Sequence, residues 1–247
     1  MISKGLKNKD FFHLQYDKID WKNQDKTKIN QKINEKIIEY IFSVHQEKEI
    51  SLFDIGFGIG FFMREFARKG KEVYQSIHMG GCEPSKKNFH FFEKKYLEKL
   101  KKYANVQVSQ DTFQHVHTKQ TFDFVTAIYV FPHFLSDDLE SVVDNIKNIL
   151  KTGGRFILVL ADEEYLKEKL SQERDLFIEK SEVEFNGKVY HEVLHYSDIP
   201  KIGKVIDYNR EERFYIDLFE SKGFSLEKRE KVNDSGFVGV FFVFTKR

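Results

Sequence analysis

The segment Asp54-Ile55-Gly56-Phe57-Gly58-Ile59-Gly60 sets a glycine at every second position at the end of a short apolar run, Ile50 to Ile55. Glycine lets a ligand approach the backbone, and a helix starting just beyond presents free N–H groups, so a strand, a glycine turn and a helix form a general nucleotide site. The spacing is D-x-G-x-G-x-G, with Phe61 where the third glycine of a dinucleotide G-x-G-x-x-G would fall, which points to a different cofactor. The single cysteine, Cys82, excludes an internal disulfide and a multi-cysteine metal cluster, and reads as a small buried hydrophobe. His191 and His195 lie among Val189, Tyr190, Val193 and Tyr196, a β-branched and aromatic run that predicts a strand. At ~3.3 Å per residue the two imidazoles would be ~13 Å apart, too far to chelate one ion, so no metal is expected.

The elements that must position these residues follow from periodicity. From Ile29, the residues Ile33, Ile37, Ile41 and Val44 mark an amphipathic helix leading into the first strand. After the glycine turn, Phe62, Glu65, Phe66 and Arg68 resume helical spacing as far as Gly70. A second strand is expected within Gln75 to Cys82, then a helix marked by Phe89, Phe92, Tyr96 and Leu100, a third strand over Val106 to Ser109 and a fourth over Phe122 to Phe131. Ser136 is the expected N-cap of a helix with Asp137 and Asp138 in its first turn. A turn at Gly153-Gly154 leads into a fifth strand, Arg155 to Leu160, and 163–180 reads as a charged helix. Two strands, Lys188 to Tyr196 and Lys204 to Tyr208, then interrupt the β-α alternation as an inserted cover, about 181–208. A helix over Arg210 to Ser221 and a hairpin of Phe224 to Val232 and Phe237 to Thr245 close the chain. Residues 1–28, with Tyr16 and Trp21 among lysines, read as an N-terminal lid on a single domain, 29–247.

In this order of motifs the chain resembles the class I S-adenosylmethionine-dependent methyltransferases, from about Ile33 to the C-terminus. Asp54 to Gly60 is similar to their first motif. Glu83, followed by Pro84, stands where the family holds both ribose hydroxyls, and Gln110-Asp111-Thr112 where an acidic residue accepts from the adenine amino group. Ala127 to Phe134 is similar to the fourth motif, and Leu150 to Phe156 to the segment after it. The resemblance implies a Rossmann-like, doubly wound seven-stranded sheet ending in an antiparallel hairpin, with S-adenosylmethionine as cofactor. It implies cofactor contacts from Asp54, Gly56, Phe57, Gly58, Gly60, Glu83, Pro84, Asp111, Thr112 and Tyr129. His133 lies where the family's fourth strand ends beside the methyl group, and is the candidate base if the acceptor must lose a proton. The cover is expected to face the acceptor through Tyr190, His191, His195 and Tyr196, with Tyr16 and Trp21 closing over it as lid aromatics.

The expected activity is methyl transfer to a small-molecule acceptor, against three alternatives: a non-catalytic cofactor-binding protein of the same fold, a protein methyltransferase and a nucleic-acid methyltransferase. Lys plus Arg total 40 and Asp plus Glu 39, so a net charge of +1 supplies no field to gather phosphate backbones. The Phe131-Pro132-His133-Phe134 segment also lacks the Asn-Pro-Pro-aromatic form used on flipped bases. No apolar run reaches the ~18 residues that span a bilayer, and the start MISKGLKNKD has no apolar signal core, so a cytoplasmic protein is expected. The oligomeric state is left open.

Overall fold

The computed structural model describes residues 30–199, 203–234 and 236–247. The lid expected over 1–28, with Tyr16 and Trp21, lies outside the described residues.

In chain order the elements are α1 (Gln31–Val44), β1 (Glu49–Ile55), α2 (Phe61–Gly70), β2 (Ser76–Cys82), α3 (Lys86–Phe92, continued by a π turn), β3 (Asn105–Ser109), β4 (Phe122–Ile128), α4 (Ser136–Ile149) and β5 (Leu150–Ala161). They are followed by α5 (Glu163–Gln172), β6 (Phe177–Phe185), β7 (Lys188–Ile199), β8 (Gly203–Arg210), α6 (Glu212–Ser221), β9 (Phe224–Asp234) and β10 (Phe237–Lys246). Seven strands form one sheet in the order β3-β2-β1-β4-β5-β10-β9; β1 to β5 run parallel, and β10 is antiparallel to both β5 and β9. A separate antiparallel sheet has the order β6-β7-β8.

Alternate residues of the central strands face opposite layers. In β5, Phe156, Leu158 and Leu160 join the core shared with α4 and α6, while Ile157 and Val159 join the core shared with α1, α2 and α3. In β10, Val240, Phe242 and Phe244 take the first side and Phe241 and Val243 the second. Both faces are covered, which is why these strands read as unbroken apolar runs. The many phenylalanines pack these two layers, as in the stacked Phe156, Phe219 and Phe244 rings.

Four local expectations are corrected. The fourth strand stops at Ile128, because Tyr129 takes a left-handed φ of 58° and the chain turns into a short 3-10 turn at Phe131–His133. The fifth strand begins at Leu150, with a register shift opposite Phe122 and Phe124 rather than a clean glycine turn. The helix expected over 163–180 ends at Gln172, and 177–185 is strand β6, a solvated edge strand whose run of charged residues has too few apolar positions to set a period. The second sheet therefore spans 177–210. Ser136 does not cap α4, whose N-cap is Leu135; its hydroxyl is engaged by Glu192 and Arg210 of the second sheet. Among the described residues no helix is long and apolar enough to cross a membrane.

Candidate active site

Parallel pairing puts Ile55 opposite Cys82, so the turn after β1 and the end of β2 meet at one edge of the sheet. The Gly56 N–H donates to the Cys82 carbonyl at 2.8 Å, holding the turn against that edge. Gly56 and Gly58 have φ of 63° and 57°, the left-handed region that favours glycine. A Cβ on Gly56 would come within 2.8 Å of Val130 Cγ2, whereas one on Gly58 would meet nothing within 4 Å. Gly58 thus borders open space, a cradle that a side chain would fill. Gly60 differs: a Cβ there would lie 2.3 Å from the Phe92 ring, so this glycine serves packing at the start of α2 and does not line the cavity.

Asp54 is buried beneath the turn, with Oδ1 accepting from Thr126 Oγ1 at 2.6 Å. Burial pushes its carboxyl up to about 7, opposed by the Thr126 hydrogen bond and helped by the nearby Glu83 charge. The Glu83 carboxylate is also buried, and is oriented by two backbone donors: Gly58 N–H to Oε2 at 2.7 Å and Ser85 N–H to Oε1 at 2.9 Å. Burial pushes the Cys82 thiol up, so it stays protonated and unreactive.

A cavity of about 540 Å³ runs from this turn to the second sheet. Of the residues expected from sequence, Asp54, Gly56, Phe57, Gly58, Glu83, Pro84, Thr112, Tyr129, His133, His195 and Tyr196 line it. Tyr129 is wedged by its backbone turn so that its ring meets Phe237 edge-on at 5.5 Å, with the hydroxyl packed against Gly239.

Asp111 does not line the cavity: its Oδ1 accepts from the Thr112 N–H at 2.8 Å, a local bond typical of Asp in turns. Gln114, which the sequence did not single out, lines it instead, with a buried Oε1 that accepts no hydrogen bond; Asn34 Oδ1 on α1 is in the same state. Tyr190 and His191 are also corrected. Tyr190 is buried against Phe214 of α6, with its hydroxyl donating to Asp217, and His191 points to solvent beside Glu182. Only the C-terminal half of the long strand β7 passes over the cavity, so His195, Tyr196 and Ser197 reach it and Tyr190 and His191 do not.

On the cover side, strand β8 packs against the 3-10 turn that carries His133. His133 Nδ1 lies 3.3 Å from Asp207 Oδ1, and Ser197 Oγ donates to Asp207 Oδ2. His195 Nδ1 sits 3.0 Å from the Tyr196 carbonyl, and its Nε2 is hydrogen-bonded to Asn209. Burial lowers the His133 pKa, while the Asp207 charge and the carbonyls of Ile206 and Tyr129 favour its protonated form. Asp207, Ser197 and Asn209 lie in weakly patterned strands, and nothing in their spacing singles them out. Among the described residues no group of three or more His, Cys, Asp or Glu is arranged to hold a metal ion.

Residues 53–158 match the family model of a methyltransferase domain. The chain carries a methyltransferase domain. Solved structures of similar fold include the magnesium protoporphyrin IX methyltransferase of Synechocystis PCC 6803 with bound SAM, at 11% identity and a TM-score of 0.60 over 88% of this chain and 80% of that one. The glycopeptide N-methyltransferase MtfA with S-adenosyl-L-methionine is 13% identical, with a TM-score of 0.63 over 87% and 94%. The PH0226 protein of Pyrococcus horikoshii OT3 is 17% identical, with a TM-score of 0.62 over 91% and 92%. No curated relative matches the sequence.

Proposed function

We propose that this methyltransferase acts on a small-molecule acceptor, held between the end of β4 and the strands β7 and β8, with His133 and Asp207 taking up the acceptor's proton. The observation that carries the reading is the continuous cavity of about 540 Å³, within the range of small-ligand sites, joining the glycine turn to the second sheet. Bound S-adenosylmethionine supplies a methyl group on a sulfonium, so the protein's work is alignment, desolvation and proton management. The Gly56 to Gly58 backbone and Asp54 border the methionine end. Glu83 accepts from the ribose hydroxyls, and the Gln114 Oε1, in place of Asp111, accepts from the adenine amino group. Tyr129 and Phe237 wall the reacting centre, while His195 and Tyr196 wall the acceptor.

Because burial lowers the His133 pKa, its neutral form is present at neutral pH and can accept a proton. The acid limb of a kcat/KM profile is therefore expected below the ordinary 6.5 of histidine. Asp207→Asn, which removes a charge favouring the imidazolium, should move it lower still. Titration of S-adenosylmethionine into the wild type and the Gly58→Val variant tests the cofactor half; retained affinity in the variant rejects the assignment. A profile unchanged in both His133→Asn and Asp207→Asn rejects the base.

A further inference from the structure

The charge on the cavity wall bears on what the acceptor is. Among the described lining residues Lys169 is the one lysine or arginine, against the carboxylates Asp54, Glu83, Asp138, Asp207 and Asp234. Asp54 and Glu83 belong to the cofactor turn. Asp234 is engaged at the start of α1, where its Oδ2 accepts from the Lys32 and Ile33 N–H groups at 2.8 and 3.3 Å. Asp138 and Asp207 remain on the acceptor side.

Asp207 is the one aimed at a ligand. Its Oδ2 accepts from Ser197, but its Oδ1 is buried and accepts no hydrogen bond, with His133 Nδ1 3.3 Å away. A buried carboxylate oxygen without a donor is costly, and native proteins satisfy such groups with water or ligand. The oxygen borders a cavity whose acceptor side also carries the apolar residues Phe134, Leu135, Leu166, Leu170, Leu176 and Val205. A carboxylate there opposes an anionic acceptor and attracts a cationic one.

Resting on the methyl-transfer reading above, we propose that the acceptor is a basic amine on an apolar body, entering as an ammonium whose N–H docks on Asp207 Oδ1. The ammonium passes one proton to His133, and the freed nitrogen lone pair forms the new N–C bond as the C–S bond breaks. The bonding pair stays on sulfur, giving S-adenosylhomocysteine and an N-methylammonium, and the His133 proton leaves to solvent. Carboxylate acceptors are excluded by the same charge.

The test is binding to protein loaded with S-adenosylhomocysteine, measured by calorimetry and ligand-observed NMR with one skeleton carrying three end groups: phenethylamine, phenethyl alcohol and hydrocinnamate. The amine is expected to bind about tenfold or more tighter than the carboxylate, and Asp207→Asn to bring the three within about twofold of one another. In the wild type, raising salt from about 50 to about 500 mM should weaken the amine but not the alcohol, which tests the charge without a variant. Absence of amine binding, equal or tighter binding of hydrocinnamate, or an amine preference that survives in Asp207→Asn would overturn the proposal. Failure of the wild type to bind S-adenosylhomocysteine would instead reject the methyltransferase reading, so the two failures are distinguishable.

Discussion

Replacing Arg210 by Met strips the cation from a buried ion pair that fastens the second sheet to the loop carrying His133. Arg210 Nε lies 2.7 Å from Glu192 Oε2, with the two side chains only 1% and 8% exposed. The same guanidinium donates to Ser136 Oγ at 2.9 Å and to the Phe134 carbonyl at 2.9 Å, and Phe134 directly follows His133. Removing one partner of a buried pair costs about 3–5 kcal/mol, mostly from the charge left without its counterion. Two neutral donors remain on Glu192, Ser136 Oγ at 2.8 Å and Ser181 Oγ at 3.0 Å, which sets the expectation near the lower end, about 3 kcal/mol. Against a total of about 5–15 kcal/mol for a domain that is a large fraction. Urea unfolding should show it as a lower midpoint, with hydrogen exchange rising first in β7 and β8. Adding Glu192→Leu removes the stranded charge and should restore most of the loss. S-adenosylhomocysteine affinity should hold, since Gly58 and Glu83 are untouched. A loss under about 1 kcal/mol, or a double variant no more stable than the single one, would refute the reasoning.

Asp54→Asn should raise stability at neutral and higher pH while weakening cofactor binding. The folded carboxyl is pushed up to about 7, so between its unfolded value and that point the folded protein holds more protons than the unfolded chain, and stability falls as pH rises through the window. Stability curves of variant and wild type that run parallel from about pH 4 to about pH 8 would contradict this. Gly60→Ala should destabilise by at least about 1–3 kcal/mol through the clash with Phe92, whereas Gly58→Ala, facing open space, should cost about 1–2 kcal/mol of backbone strain and act mainly on cofactor affinity. Thermal unfolding and calorimetry separate the two, and equal effects in both assays would dissolve the distinction. Glu83→Gln offers one acceptor oxygen to the Gly58 and Ser85 N–H groups where the carboxylate offered two. It should lower both stability and cofactor affinity by about 1–3 kcal/mol, and an affinity equal to wild type would remove Glu83 from the cofactor site.

Local spacing was enough to read the α/β alternation, the glycine turn and the acid at the end of β2, because each rests on residues close in the chain whose geometry is set by backbone conformation or by strand and helix period. The placement of Asp54, Gly58 and Glu83 at the ends of β1 and β2 was legible for that reason. What depends on how distant surfaces meet was not. The charges of 177–185 suit an edge strand as well as a helix, and only pairing with β7 decides. Along one strand His195 reaches the cavity while Tyr190 and His191 do not, since only one half of β7 crosses the opening. Asp111 turned to its own backbone, and the loop gave Gln114 to the cavity in its place. Asp207 meets His133 only because β8 packs on the turn after β4, an approach made by tertiary contact. The glycine turn and the acid beside it were thus written in short-range pattern, whereas the cavity wall on the far side was decided by the docking of one sheet on another, which no local period encodes.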